Sequence, residues 1–185
     1  TTFLDLTANH ETEYYYFVAA HNSGGDSPLS DSDIGFRAPP VPLTPTNLSA
    51  SDNTPSTHVA ISWDASTWAT GYRLYRSIFP NGSNKVEIAD TADLSFEDTT
   101  AEYDQTYYYF VLAYNTTGES SLSVAESGLR QTPAPSAPTS VTATDEESGT
   151  ILISWEPVEF AEGYYVYRNT SNTTDGATQI AYVTG

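Results

Sequence analysis

The sequence predicts an all-β chain of seven-stranded sandwiches repeated in tandem, and three observations carry that expectation. Short apolar runs alternate with turn signals at the spacing of sandwich strands, and no helical period intervenes. The aromatic run TEYYYFVAAHN at 12–22 returns as QTYYYFVLAYN at 105–115. ISWDASTWATGYRLYRS at 61–77 returns as ISWEPVEFAEGYYVYRN at 153–169.

The seven strands of the complete unit are expected near 46–50, 57–63, 71–77, 84–88, 94–97, 106–115 and 122–130. The first follows a proline-rich entry. In the second, VAISW sets Val59, Ile61 and Trp63 on one face and Ala60 and Ser62 on the other, the period of two that a half-buried strand needs. The third, GYRLYRS, is expected to turn Tyr72 and Leu74 into the core. PNGSN at 80–84 and NTTGES at 115–120 carry the Asn and Gly that tight turns require, and they bound the fourth and sixth strands. The sixth strand alternates Tyr107, Tyr109, Val111 and Ala113 inward with Tyr108, Phe110, Leu112 and Tyr114 outward.

Internal repetition sets the domain plan. At an offset of 93, Phe3 falls on Phe96, Asp5 on Asp98, Asn22 on Asn115 and Arg37 on Arg130. At an offset of 92, Trp63 falls on Trp155, Gly71 on Gly163 and Arg76 on Arg168. Residues 39–132 therefore read as one complete unit, 1–38 as the last three strands of another and 133–185 as the first four strands of a third. The two offsets together equal the chain length, so the register runs from Gly185 into Thr1 without a slip. Each partial unit is expected to leave a sheet face and strand edges open. The expectation is either a window of a longer tandem array or completion of one chain's tail by the next chain's head.

At this level of detail the chain resembles tandem fibronectin type III domains. The features are the entry APPVPLTPTNLSA, a Trp closing the second strand, GYRLYR on the third, and a Tyr-x-Tyr-x-Val-x-Ala-x-Asn-x-x-Gly-x-Ser run on the sixth. The resemblance covers essentially the whole chain and implies immunoglobulin-like sandwiches with Trp63 and Trp155 in the core. It also implies that Tyr107 and Tyr14 form tyrosine corners. Ala101 and Tyr103-Asp104-Gln105 replace the Leu and Pro-Gly usual before that Tyr, so the corner is expected to differ in detail. The TYYYFV form and the single Lys look more like prokaryotic extracellular members than animal ones.

Composition removes several functions. With 24 acidic and 6 basic residues, the net charge of −18 opposes nucleic acid and anionic membrane alike. No apolar run is long enough for a membrane span, and cysteine is absent, so neither disulfides nor thiolate metal sites arise. His10, His21 and His58 stand apart without a nucleophile signature or metal spacing, so neither catalysis nor a cofactor is expected. The acidic stretches DSPLSDSD at 26–33 and DTADLSFED at 90–98 match no EF-hand loop and read as solvated surface rather than calcium ligands.

Two sets of candidate residues remain. Asn47, Asn81, Asn115, Asn169 and Asn172 each open an Asn-x-Ser/Thr triplet and are candidate glycan acceptors. Asn115 has a second reading, as the residue that orders the turn after the sixth strand. Tyr75, Tyr108, Phe110, Leu112, Tyr114, Tyr165 and Tyr167 share the outer sheet face, where neighbouring side chains, another repeat or a glycan could cover them. The core set is Trp63, Trp155, Tyr72, Leu74, Tyr107, Tyr109, Val111 and Tyr14. Short proline-rich linkers at 37–45 and 130–138 favour extended geometry and semi-rigid spacing. The expected role is a spacer segment of a repetitive extracellular, cell-surface or filament protein, whose partner is its own neighbouring repeats or chains. The alternative is an adhesion or carbohydrate-binding module, or an accessory domain of a secreted polysaccharide-active enzyme.

Overall fold

The computed structural model describes residues 1–52, 57–144 and 149–185, and the backbone alone of 54–55. All its regular structure is β: among the described residues there is no helix. In the first group, β1 (Glu13–Tyr16), β2 (His21–Asn22), β3 (Gly25–Asp26) and β4 (Asp33–Phe36) form two antiparallel pairs, β1 with β4 and β2 with β3.

The middle group is a two-layer sandwich. It contains β5 (Ser49–Ala50), β6 (Thr54–Pro55), β7 (Val59–Ser62), β8 (Gly71–Ser77), β9 (Val86–Thr91), β10 (Ser95–Asp98), β11 (Thr106–Tyr114) and β12 (Glu126–Gln131). One sheet runs β10-β7-β5 and the other β6-β12-β11-β8-β9, with β6 parallel to β12 and every other pair antiparallel. Val59, Ile61 and Trp63 from the smaller sheet meet Tyr72, Leu74, Tyr109 and Val111 from the larger one in a single buried cluster. Full burial of each aliphatic member contributes about 1.5–3 kcal/mol. Gly128 lets β12 close on this core, because a Cβ there would lie 2.7 Å from Val59 and 2.8 Å from Tyr109.

The last group pairs β13 (Thr142–Ala143) with β14 (Ile153–Ser154), and β15 (Gly163–Arg168) with β16 (Thr178–Thr184). Its registers copy the middle sandwich. Tyr164 opposes Val183 as Tyr72 opposes Thr91, and in the first group Tyr14 opposes Gly35 as Tyr107 opposes Gly128.

Strand limits differ from expectation for identifiable reasons. The seventh strand starts at Glu126 rather than near 122 because serine side chains replace part of its ladder. Ser120 and Ser123 each give an amide to β11, to the carbonyls of Ala113 and Val111, and each takes the amide of that same residue on its hydroxyl. Ser27 and Ser30 do the same for Ala20 and Val18. The fourth strand lies at Val86–Thr91, beyond the 84–88 expected, because the preceding turn extends to Lys85, whose amide bonds the Gly82 carbonyl at 3.3 Å.

Candidate functional site

The middle sandwich shows what a complete unit does with its polar groups. Asp98, 1% exposed at the end of β10, accepts from Arg76 Nη1 at 2.7 Å and from the Tyr109 hydroxyl at 3.0 Å. The Thr100 amide and hydroxyl also donate to it, at 3.0 and 2.7 Å. Burial pushes its carboxyl up, but the Thr100 hydrogen bonds and the Arg76 guanidinium outweigh that and hold it below the usual range. Burial first, then the negative Asp98, drives the Tyr109 phenol well above its ordinary value.

The first group builds the same carboxylate site without the arginine. Asp5 accepts from the Thr7 amide and hydroxyl at 2.8 and 2.7 Å, the Ala8 amide at 3.1 Å and the Tyr16 hydroxyl at 2.9 Å. The Thr7 bonds are the main reason its carboxyl is lowered to about 2. The residue matching Arg76 is Arg168, exposed at the far end of β15 and without an ion pair among the described residues.

Both junctions between groups share one geometry. At the first, the His10 ring meets the Trp68 ring edge-on at 5.3 Å and 62°. At the second, Tyr103 meets Phe160 at 5.1 Å and 73°. Trp68 and Phe160 occupy matching loop positions, and both have left-handed backbone, φ 70° and 65°. The residues after the first ring of each pair, Glu11 and Asp104, share φ 58°, and their amides bond the Arg37 and Arg130 carbonyls at 2.9 and 2.8 Å. Arg37 Nη1 donates to the carbonyls of Leu6 and Ala8, and Arg130 Nη1 to those of Thr99 and Ala101. The Arg130 guanidinium also lies over the Tyr103 ring, 3.9 Å from its centroid.

The sequence-derived candidates distribute unevenly. Trp63, Tyr72, Leu74, Tyr107, Tyr109 and Val111 are buried, with the Tyr107 ring beneath the Arg76 guanidinium at 4.4 Å. Trp155 and Tyr14, expected in the core, are only half-buried because their faces are open. Trp155 still packs on Tyr164 as Trp63 packs on Tyr72, at 5.2 and 5.7 Å. The Tyr14 hydroxyl accepts the Asn9 amide at 3.2 Å, the backbone bond of a tyrosine corner.

On the outer face the expectation needs correcting. Phe110 and Leu112 are buried, 6% and 7% exposed, rather than presented to a neighbour. The turn after β8 folds back over Phe110: Ser77 Oγ donates to the Ser83 carbonyl at 2.7 Å, and Gly82 sits against the ring. Leu112 lies opposite Arg73, which Asp90 and Glu119 hold by ion pairs. Arg73 also stacks on Tyr114 at 4.9 Å, the Tyr114 hydroxyl donates to Asp90 at 2.6 Å, and Lys85 lies 5.7 Å over Tyr75. Tyr75, Tyr108 and Tyr114 are half-buried, whereas Tyr165 and Tyr167 are exposed.

Among the triplets, Asn47, Asn81 and Asn172 are exposed, with Asn47 Nδ2 on Asp64 Oδ2 at 2.7 Å. Asn169 is half-buried and its amide nitrogen donates to the Thr173 and Asp175 carbonyls. Asn115 is buried and fully engaged, which removes it from the acceptors. Its Nδ2 donates to the Pro40 and Trp68 carbonyls at 2.7 and 3.0 Å, and its Oδ1 accepts the Thr117 and Gly118 amides. Among the described residues no three His, Asp or Glu side chains gather as a metal site would require.

No protein-family model matches the chain. It is similar to Exoglucanase B of Cellulomonas fimi, 27% identical over 206 residues spanning all of this chain and 18% of that protein. It is also similar to Protein sidekick-2 of Mus musculus, 24% identical over 192 residues, 97% of this chain and 9% of that one. The chain thus spans less than a fifth of either curated relative. Among solved structures, it is similar to an Fn3-like protein from Clostridium thermocellum at 28% identity (TM-score 0.44), over 50% of this chain and 95% of that one. The FN1-FN3 domains of chicken CNTN1 match 93% of this chain and 62% of theirs at 19% identity (TM-score 0.43).

The chain carries tandem fibronectin type III-like domains. In these terms the recurring elements that sequence reading missed are the junctions between domains. Their two partners lie 58 and 57 residues apart, in loops without a shared motif. The one available signal was that His10 and Tyr103, and Trp68 and Phe160, keep an aromatic ring under the 93 and 92 offsets.

Proposed function

We propose that the chain is a non-catalytic structural spacer of a repetitive extracellular or cell-surface protein. The observation that supports this is the junction: the same edge-on ring contact and the same left-handed loop residue occur at both ends of the middle domain. A repeated joint repeats the rotation between neighbours and so sets a constant pitch. The first proline-rich stretch reinforces it, since the Pro39 and Pro40 carbonyls accept bonds from Thr117 Oγ1 and Asn115 Nδ2 of the middle domain. The charge of −18 keeps parallel rods apart. Small-angle scattering of the chain and of a Trp68→Gly/Phe160→Gly variant tests this. The expected result is an extended, narrow envelope for the parent and a broader distribution of lengths for the variant. Equal flexibility in both would overturn it.

A second reading, an accessory domain of a polysaccharide-active enzyme, is favoured by one observation: the similarity to an exoglucanase runs along the whole of this chain. Retention on insoluble cellulose, compared with a column of inert matrix, separates the two.

A further inference from the structure

We propose that Asn81 carries an N-linked glycan whose first sugar lies on the exposed ring of Phe79. The site belongs to the middle domain and stands apart from the spacer reading.

Between β8 and β9 the chain reads Phe79-Pro80-Asn81-Gly82-Ser83. The Gly82 amide bonds the Phe79 carbonyl at 3.0 Å, which closes a β-turn with Pro80 and Asn81 at its centre. Pro80 supplies the fixed φ that its position needs, and Asn81 keeps a negative φ, so the turn is type I. Gly82 follows at φ 72°, against the Phe110 ring, where a Cβ would come within 3.2 Å. Ser77 Oγ accepts the Phe79 amide at 3.0 Å and donates to the Ser83 carbonyl at 2.7 Å, which ties both ends of the loop to the end of β8. The loop is thus held in one shape.

Within that shape the triplet Asn81-Gly82-Ser83 offers what glycan transfer needs. Asn81 and Ser83 are exposed, and Asn81 Oδ1 accepts the Ser83 amide at 3.0 Å. Among the described residues, neither Asn81 Nδ2 nor the Ser83 hydroxyl makes a hydrogen bond. The amide nitrogens of Asn47, Asn115 and Asn169, by contrast, are each engaged. Asn172 is exposed too, but Thr170 stands before it where Phe79 stands before Asn81. Transfer takes a lipid-phosphate-linked oligosaccharide as donor. Asn81 Nδ2 bonds the anomeric carbon, and the bond from that carbon to the phosphate oxygen breaks. The lipid phosphate leaves with the electron pair, and one Nδ2 proton passes to a base of the transferase.

The ring beside the acceptor is the second observation. Phe79 is 42% exposed, and its Cα lies no more than about 7.6 Å from that of Asn81. A pyranose on the Asn81 side chain reaches back over that distance. Its C–H bonds carry slight positive charge and the face of the phenyl ring is negative, so the two attract as an aromatic edge attracts a face. Phe110 under the same loop is 6% exposed and covered by Gly82. Phe79 has no such cover, and one sugar would engage both its ring and the idle amide.

The full chain, secreted from a host with an N-oligosaccharyltransferase, tests this beside its Ser83→Ala and Phe79→Ala variants. Ser83→Ala deletes the hydroxyl of the triplet and leaves the loop bonds, since Ser83 uses only its amide and carbonyl there. Glycan release by an amidase in heavy-oxygen water marks each occupied Asn for mass mapping. The expected result is occupancy at Asn81, lost in Ser83→Ala, with Asn115 unmarked. Proton NMR of the glycosylated chain should show C–H signals of the first sugar moved upfield by the ring current, and at ordinary positions in Phe79→Ala. Urea unfolding should place the parent's midpoint roughly 0.3–1 M above that of Ser83→Ala. An unmarked Asn81 overturns the modification. Sugar signals unshifted in the parent or shifted equally in Phe79→Ala, or equal midpoints, overturn the stacking.

Discussion

Replacing Asp98 with Ala removes the acceptor of four hydrogen bonds from a site that is 1% exposed. Removing one partner of a buried ion pair costs about 3–5 kcal/mol, because the other charge is left uncompensated. The Arg76 side chain keeps 20% of its surface in water, which places the loss near the lower end. The Tyr109 hydroxyl, wholly buried, adds an unsatisfied donor worth about 1–3 kcal/mol that partial rearrangement toward Thr100 reduces. The expected total is about 3–4 kcal/mol, and about half of that for Asp98→Asn, which keeps one carbonyl acceptor. Urea unfolding followed by tryptophan fluorescence reads this as a midpoint shift of roughly 2 M for an m of about 1.5 kcal/mol/M. Arg76→Met/Asp98→Ala should be less destabilised than the sum of its single changes, since the uncompensated charge is gone. A loss below about 1 kcal/mol for Asp98→Ala, or strict additivity in the cycle, would refute the view that this carboxylate anchors β8, β10 and β11 together.

Other outcomes follow from the same geometry. Leu74→Ala, at a fully buried position, should cost about 2–5 kcal/mol in urea unfolding, whereas its counterpart Val166→Ala on the open face should leave the middle domain's transition unmoved. Gly128→Ala drives a methyl into Val59, Tyr109 and Ala50, and should lower the same midpoint by about 1–3 kcal/mol of overpacking. The lowered Asp98 carboxyl contributes stability that is present above its unfolded value of about 4 and is lost as pH falls through its folded value. The raised Tyr109 phenol contributes stability that holds below pH of about 10 and fades as pH rises toward its folded value; a set of unfolding midpoints across pH should therefore decline at both ends.

Much of the strand plan was readable because period-two alternation and a repeat of ninety-odd residues are local signals. VAISW reads as a strand with Val59, Ile61 and Trp63 inward, and all three are buried. Alternation assigns a residue to a face, however, and says nothing about what covers that face. Alternation turns Phe110 outward, yet a turn anchored by Ser77 thirty-odd residues earlier closes over it. Asn115 shows the same limit. Its triplet suits a sugar, but the carbonyls that engage its amide belong to Pro40 and Trp68, which only the folded domain brings near. The arginine partner of Asp98 likewise comes from a strand 22 residues away and required the sheet order to be found.

The junctions give the spacer reading its physical content, because they combine variable chemistry with constant shape. His10 against Trp68 and Tyr103 against Phe160 differ in ring type, yet the centroid distances agree to 0.2 Å, at 5.3 and 5.1 Å. Left-handed backbone at a bulky residue costs of order 1–3 kcal/mol and persists only where its surroundings enforce it. That cost falls at the matching loop position in both domains, at Trp68 and at Phe160. A linker needed only for connection could relax it by turning the ring into solvent. Holding the ring against the preceding domain instead restricts the angle between domains, and a restriction repeated at each junction adds up along an array, whereas a loose joint would randomise it within a few repeats.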